Sequence, residues 1–87
     1  MLFMIIEHFR PGQAPTIYRR FHENGRMAPD GVRYLVSWVD LDLRRCFQVM
    51  EAEGVGELKA WTRNWEDLID SRSFPCKRPR TPPRRSR

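Results

Sequence analysis

Val32-Arg33-Tyr34-Leu35-Val36-Ser37-Trp38-Val39-Asp40-Leu41-Asp42-Leu43-Arg44-Arg45-Cys46-Phe47-Gln48-Val49-Met50-Glu51 reads as two β-strands joined by a short turn at Asp40-Leu41-Asp42. By alternation, Tyr34, Val36 and Trp38 share one side of the first strand, and Leu35 and Val39 share the other. Cys46, Gln48 and Met50 alternate with Phe47, Val49 and Glu51 in the same way. β-Branched and aromatic residues at period two, broken by an aspartate-rich turn, mark a hairpin. Apolar groups occur on both faces of both strands, so the hairpin is expected to lie centrally in a sheet covered on two sides.

Working outward from the hairpin, Met1 to Phe9 is a further strand, with Leu2, Met4, Ile6 and His8 on one face and Phe3, Ile5, Glu7 and Phe9 on the other. Arg10-Pro11-Gly12 stops it, because proline lacks the N–H a sheet ladder needs. Gln13 to Asn24 is predicted to be a helix. Pro15 suits its first turn, and Ala14, Ile17, Tyr18 and Phe21 form one apolar stripe. Asn24-Gly25 ends it. Beyond the hairpin, Leu58, Trp61, Trp65 and Leu68 give a second helical stripe, predicted to end near Trp65 to Asp67. Ile69 to Lys77 is a weaker strand that Pro75 confines to a sheet edge. The order βαββαβ with right-handed crossovers gives a ferredoxin-like α+β fold, a four-stranded antiparallel sheet in the order 4-1-3-2 with two helices on one face.

The chain has 87 residues and a formal net charge of +5. One domain is expected, and a domain this small buries only about 60–65% of its unfolded surface, which favours reliance on a partner chain. The charge is unevenly placed. Six of the 16 basic side chains follow residue 76, while all 11 acidic ones precede it. The division is therefore a domain over 1–77 and a basic, proline-rich tail over 78–87 with nothing to bury, expected to be disordered. The apolar start, Met1 to Ile6, lacks a basic leader region and is too short for a membrane span, so a cytoplasmic setting is expected. Cys46 and Cys76 have no metal-ligand spacing, and in the expected strand order they sit too far apart for a disulfide. No cofactor or metal is called for.

Several runs resemble a known family: M-L-F-M-I-I-E-H-F-R-P-G at the start, Y-R-R-F, G-R-M-A-P-D-G-V-R-Y, S-W-V before D-L-D-L-R-R-C-F-Q-V-M-E, and W-E-D-L-I-D. Their order and spacing are similar to a family of short bacterial proteins catalogued as domain of unknown function 3303, over Met1 to about Pro75. That family resembles the dimeric α+β barrel group, whose ferredoxin-like protomers pair sheet to sheet. Other branches of the group include cofactor-free monooxygenases, haem-linked enzymes and small stress-response proteins. The resemblance implies a dimer and carries over no catalytic residue.

Among polar residues, Glu7 stands out between Ile5 and Phe9 on an apolar strand face. Burial there would raise its pKa and suit it to general-base work; the alternative is a strand-end carboxylate reaching solvent or an arginine. His8 is turned to the opposite face, so the two form no dyad. Tyr34, Trp38, Gln48 and Glu51 are candidates to line a small-ligand pocket, with core packing as the other explanation of the aromatics. Cys46 reads as a structural thiol. Gly54-Val55-Gly56 is a weak phosphate-loop signal, opposed by Glu53 and Glu57.

Two functional readings follow. The first is a homodimer enclosing a small apolar molecule in a sheet-lined cavity, by simple binding or by monooxygenase-like chemistry with Glu7 as base. The second is an interaction protein whose tail, through Lys77, Arg78, Arg80, Arg84, Arg85 and Arg87, contacts nucleic acid or another acidic partner. A continuous basic surface joining Arg19, Arg20 and the tail would favour the second.

Overall fold

The computed structural model describes residues 1–79. The elements follow one another as β1 (Leu2–Phe9), α1 (Ala14–Asn24), β2 (Val32–Val39), β3 (Arg45–Ala52), α2 (Val55–Thr62) and β4 (Ile69–Cys76). The four strands form one antiparallel sheet in the order β2-β3-β1-β4. This is the ferredoxin-like α+β arrangement. β1 and β3 occupy the centre; β2, expected to lie centrally with its hairpin partner, takes one edge, and the weaker β4 takes the other. Pro75 stands in edge strand β4 opposite Phe3, where its missing N–H leaves no ladder partner wanting.

Strand alternation divides the sheet cleanly at its centre. Phe3, Ile5 and Glu7 of β1 stand opposite Met50, Gln48 and Cys46 of β3. Phe3, Ile5 and Met50 are fully enclosed by the helix layer, together with Leu58 and Trp61 of α2. The intervening Leu2, Met4 and Ile6 face away from the helices, beside Val49 and Phe47, and are only half-buried. Both faces of the centre are therefore apolar, as the hairpin predicts, but within one chain only one of them is covered. Ser71 and Ser73 lie on the helix side of β4, opposite Glu7 and Ile5. Ser73 and Pro75 are exposed, so the helix layer stops short of this edge and the strand there has nothing to bury.

Two local features differ from the pattern expected from sequence. The β2–β3 ladder shifts register between Tyr34 and Val36, a bulge at Leu35. Simple alternation put Tyr34 and Trp38 on one face; the extra residue reverses the pleat. Tyr34 stands opposite Met50 on the helix side, whereas Val36 and Trp38 stand opposite Val49 and Phe47 on the open side. The turn is also longer than three residues, since β3 starts only at Arg45. Asp40 organises it. Its Oδ1 accepts the N–H groups of Arg44 and Arg45 at 2.8 and 3.2 Å, while Leu43 takes a left-handed φ of 57°.

Each helix is stopped by its own means. α1 starts with Pro15 in its first turn and ends at Gly25, whose φ of 68° lets its N–H return to the Phe21 carbonyl at 2.7 Å. α2 ends at Thr62, earlier than its apolar stripe predicts. The chain continues through tight turns, with N–H groups of Asn64, Trp65 and Leu68 reaching carbonyls three residues back, so Trp65 and Leu68 still land in the core. Among the described residues, no helix is long and apolar enough to cross a membrane.

Candidate functional site

The two helices do not cover the sheet equally. Ile17 is the only residue of α1 that is buried, and Tyr18 and Phe21 of the same apolar stripe remain about 40% exposed. The stripe does not close onto the strands. Between α1 and the sheet lies a cavity of about 280 Å³, open on one side. That is just below the range of about 300–1,000 Å³ typical of drug-sized ligands.

A single backbone carbonyl fixes two of the walls. Trp61 and Trp65 lie four residues apart, and their indole N–H groups both donate to the carbonyl of Arg26, each at 2.9 Å. A buried indole needs an acceptor, and Arg26 supplies one for both from the loop after α1. Asn64 Nδ2 donates to the next carbonyl, that of Met27, at 2.9 Å, and Met27 itself has a left-handed φ of 58°. Arg20 ties α1 to the same region. It donates two hydrogen bonds to the carboxylate of Asp67 and one to the Asn64 carbonyl, and its guanidinium lies 5.6 Å from the Trp65 ring centre. Phe9 and Tyr18 meet edge to face at 6.3 Å on another side of the cavity.

The polar groups gather on the sheet. Glu7 is 5% exposed, and its Oε1 accepts a hydrogen bond from Gln48 Nε2 at 2.8 Å. Gln48 is 6% exposed, and its Oε1 has no hydrogen-bond partner among the described residues. Cys46 stands directly across from Glu7 on β3. Above them, the Arg26 guanidinium stacks 3.5 Å from the Tyr34 ring centre and 5.0 Å from that of Phe21. Its Nη2 reaches Ser37 Oγ at 3.4 Å, and Ser37 Oγ is 2.9 Å from Tyr34 Oη. All of Glu7, Cys46, Gln48, Ser37 and Arg26 line the cavity.

Burial pushes the Glu7 carboxyl above its ordinary pKa; the hydrogen bond from Gln48, the neighbouring Cys46 thiol and the positive charge of Arg26 oppose the shift without cancelling it. The Cys46 thiol is pushed up to about 12, by burial first and by the adjacent Glu7 second. It stays protonated at neutral pH and is no nucleophile there. Burial also raises the pKa of Tyr18, with Cys46, Asp40 and Glu7 adding to the effect.

The Glu7 shift has a sign that can be checked. Below 4.5, its ordinary value, Glu7 is protonated in both folded and unfolded chains. As pH rises, the unfolded chain ionises first while the folded one keeps its proton, so this contribution to stability is lost up to the folded value. Glu7→Gln removes that titration. The new amide still accepts from Gln48 and adds a donor for the unpaired Gln48 Oε1. We expect the variant to gain little near pH 4 and to be more stable than the parent at pH 8, the difference in Tm widening as pH rises, read by thermal denaturation across pH.

The structure brings together only some of the residues singled out in the sequence. Glu7 and Gln48 are adjacent at the cavity. Tyr34 is not among its walls but lies under Arg26, which is. Trp38 stands opposite Phe47 on the open side, placed there by the bulge and 62% exposed, yet it still borders the cavity. Glu51 is on that same face, salt-bridged to Arg33. His8 and His22 are exposed, and Cys76 lies beside Leu2, with β1 between it and β3. Lys77 and Arg78 are exposed beyond β4, whereas Arg80, Arg84, Arg85 and Arg87, with the disorder expected of the tail, lie outside the described residues. The guanidinium of Arg20, one of the two helix arginines that a basic surface would need, is engaged by Asp67. Sequence reasoning missed Arg26, which looked like an ordinary loop residue, and took Trp61, Trp65 and Tyr18 for core alone. The i, i+4 spacing of the two tryptophans was the available signal, since two buried indoles on one helix face require acceptors.

No curated protein and no solved structure matches this chain. A family described as a domain of unknown function (DUF3303) matches it over residues 1–78. That span runs from the start of β1 past the end of β4 and takes in every wall of the cavity, and the chain belongs to this family.

Proposed function

We propose that the protein binds a small, mostly apolar molecule in the cavity between α1 and the sheet, with Glu7 as the proton-accepting group, and that it works as a homodimer paired across the open sheet faces. One observation carries the reading. Glu7 is a buried carboxyl at an apolar cavity, held by an amide and, among the described residues, not by a salt bridge to arginine. Burying such a group without an ion partner is unfavourable for folding, and groups of this kind concentrate at functional sites. A carboxyl with a raised proton affinity, shielded from bulk water, is suited to taking a proton from a bound weak acid. In cofactor-free monooxygenation, an activated CH2 loses a proton to such a base, the carbanion adds dioxygen, and loss of water leaves a carbonyl. The raised proton affinity of Glu7 supports a role in the first of these steps.

The site is tested with N-phenyl-1-naphthylamine, an uncharged fluorophore that brightens in apolar surroundings. Saturable binding at one site per chain is expected. Cys46→Trp, which fills the cavity from the sheet, should weaken it at least about tenfold, and Ile17→Trp does the same from α1. Phe74→Ser, on the open face opposite Met4 and outside the cavity walls, should leave it unchanged. Binding that survives both fillers but disappears with Phe74→Ser would move the ligand to the open face and end this reading.

A further inference from the structure

We infer that the ligand is an uncharged aromatic molecule carrying a hydroxyl donor, and that Gln48 selects for it; this rests on the proposed cavity function and names its ligand class. The observation that points to a donor is the Gln48 amide. Its nitrogen is used on Glu7, but its oxygen is buried at the cavity without a partner among the described residues. A buried acceptor left unpaired costs on the order of 1–3 kcal/mol, and a donor brought by the ligand relieves it. Glu7 beside it also offers carboxyl oxygens. The floor of the cavity is therefore rich in acceptors.

Charge narrows the class. An anionic ligand would meet the Glu7 carboxyl and the Gln48 oxygen at close range. A cationic one would meet the Arg26 guanidinium, which sits at the same cavity and already acts electrostatically on Glu7. A neutral O–H avoids both penalties, since burying a net charge without a partner is far less favourable than burying a hydrogen-bonded hydroxyl. The walls supply the rest. Trp61 and Trp65 are held in fixed orientations by their shared acceptor, and Phe9 and Tyr18 form a T-shaped pair. Such rigid aromatic walls favour flat rings, which stack or meet them edge to face, over bulky saturated ones.

Calorimetric titration at pH 7 with four naphthalene probes tests this. We expect 2-naphthol to bind about tenfold more tightly than 2-methoxynaphthalene, which has the same rings and no donor, the difference of one buried hydrogen bond. Both 2-naphthoate and the ammonium form of 2-(aminomethyl)naphthalene should bind more weakly than 2-naphthol. Saturated decahydro-2-naphthol, offering the hydroxyl without the flat rings, should also bind more weakly. Gln48→Met removes the acceptor at similar size. It should abolish the preference for 2-naphthol over its methyl ether, whereas general loosening of the fold would weaken both probes and keep their ratio. Equal binding of 2-naphthol and its ether, tighter binding of either charged probe or of the saturated alcohol, or a preference that persists in Gln48→Met overturns the inference. N-phenyl-1-naphthylamine binding would stand through any of these outcomes, so the cavity itself and its selectivity fail separately. A protein that takes up neither 2-naphthol nor N-phenyl-1-naphthylamine loses both.

Discussion

Trp61→Ala should cost the protein a large share of its stability at 25 °C. The side chain is fully enclosed, packed in one cluster with Phe3, Ile5, Met50 and Leu58. Truncating a buried aromatic to alanine costs about 3–5 kcal/mol through lost transfer energy and the void left behind. A small domain has roughly 5–15 kcal/mol in all. The indole nitrogen adds a second effect that separate variants resolve. Trp61→Phe and Trp65→Phe each remove one of the two donors on the Arg26 carbonyl and leave the other in place. Either change alone should cost about 1 kcal/mol beyond the smaller ring volume. The double variant strips the carbonyl of both donors, and its loss should exceed the sum of the singles by about 1 kcal/mol. Chemical denaturation of the four variants measures this directly. Strict additivity would mean that water replaces the indoles and that the shared acceptor does not organise the walls.

Val49→Lys should dissociate the proposed dimer and raise its dissociation constant at least about 100-fold. Val49 lies on central strand β3 between Met4 of β1 and Val36 of β2, in the middle of the open face. Leu2, Ile6 and Phe47 extend the same surface, and Trp38 and Phe74 stand well exposed at its margins. Monomeric proteins seldom leave so continuous an apolar patch in water. A lysine at its centre would bring two like charges together across a two-fold interface, each stripped of water. In an isolated chain, the same lysine points at solvent and should change stability by no more than about 1 kcal/mol. Sedimentation equilibrium at micromolar concentration should therefore show twice the chain mass for the parent and the single mass for the variant, with both still folded. A parent protein that sediments as a monomer at tens of micromolar would remove dimerisation from the proposed function.

The fold was legible because its signals are local and periodic. Alternation in β1 and β3, Pro15, Gly25 and the i, i+3, i+4 stripes each dictate a backbone state from neighbours in sequence. The break at Leu35 was not legible. A bulge inserts a residue without changing composition, and nothing in V-R-Y-L-V-S-W-V marks where the pleat reverses, so Tyr34 and Trp38 were grouped when they face apart. Glu7 was recognisable as a carboxyl on an apolar face, and Gln48 as an amide wanting a partner. That they pair with each other depends on the β1–β3 register, which sets Ile5 against Gln48 and Glu7 against Cys46. The cavity was invisible for a different reason. The stripe Ala14, Ile17, Tyr18, Phe21 looks the same whether α1 closes on the sheet or stands away from it. The distance is set elsewhere, by Arg20 on Asp67 and by the indoles on the Arg26 carbonyl.

That carbonyl belongs to the main chain, and the guanidinium belongs to the same residue. Position 26 thus serves the cavity twice, through atoms that every amino acid possesses and through atoms that arginine alone supplies. The scaffold role survives any substitution that tolerates the local backbone, while the chemical role changes with each one. A paralogue or a laboratory variant can exchange this side chain for a neutral or acidic one and acquire a different appetite for ligands without re-siting the tryptophans. Residue 26 is the place where a library of single substitutions has the best chance of varying the proposed ligand preference.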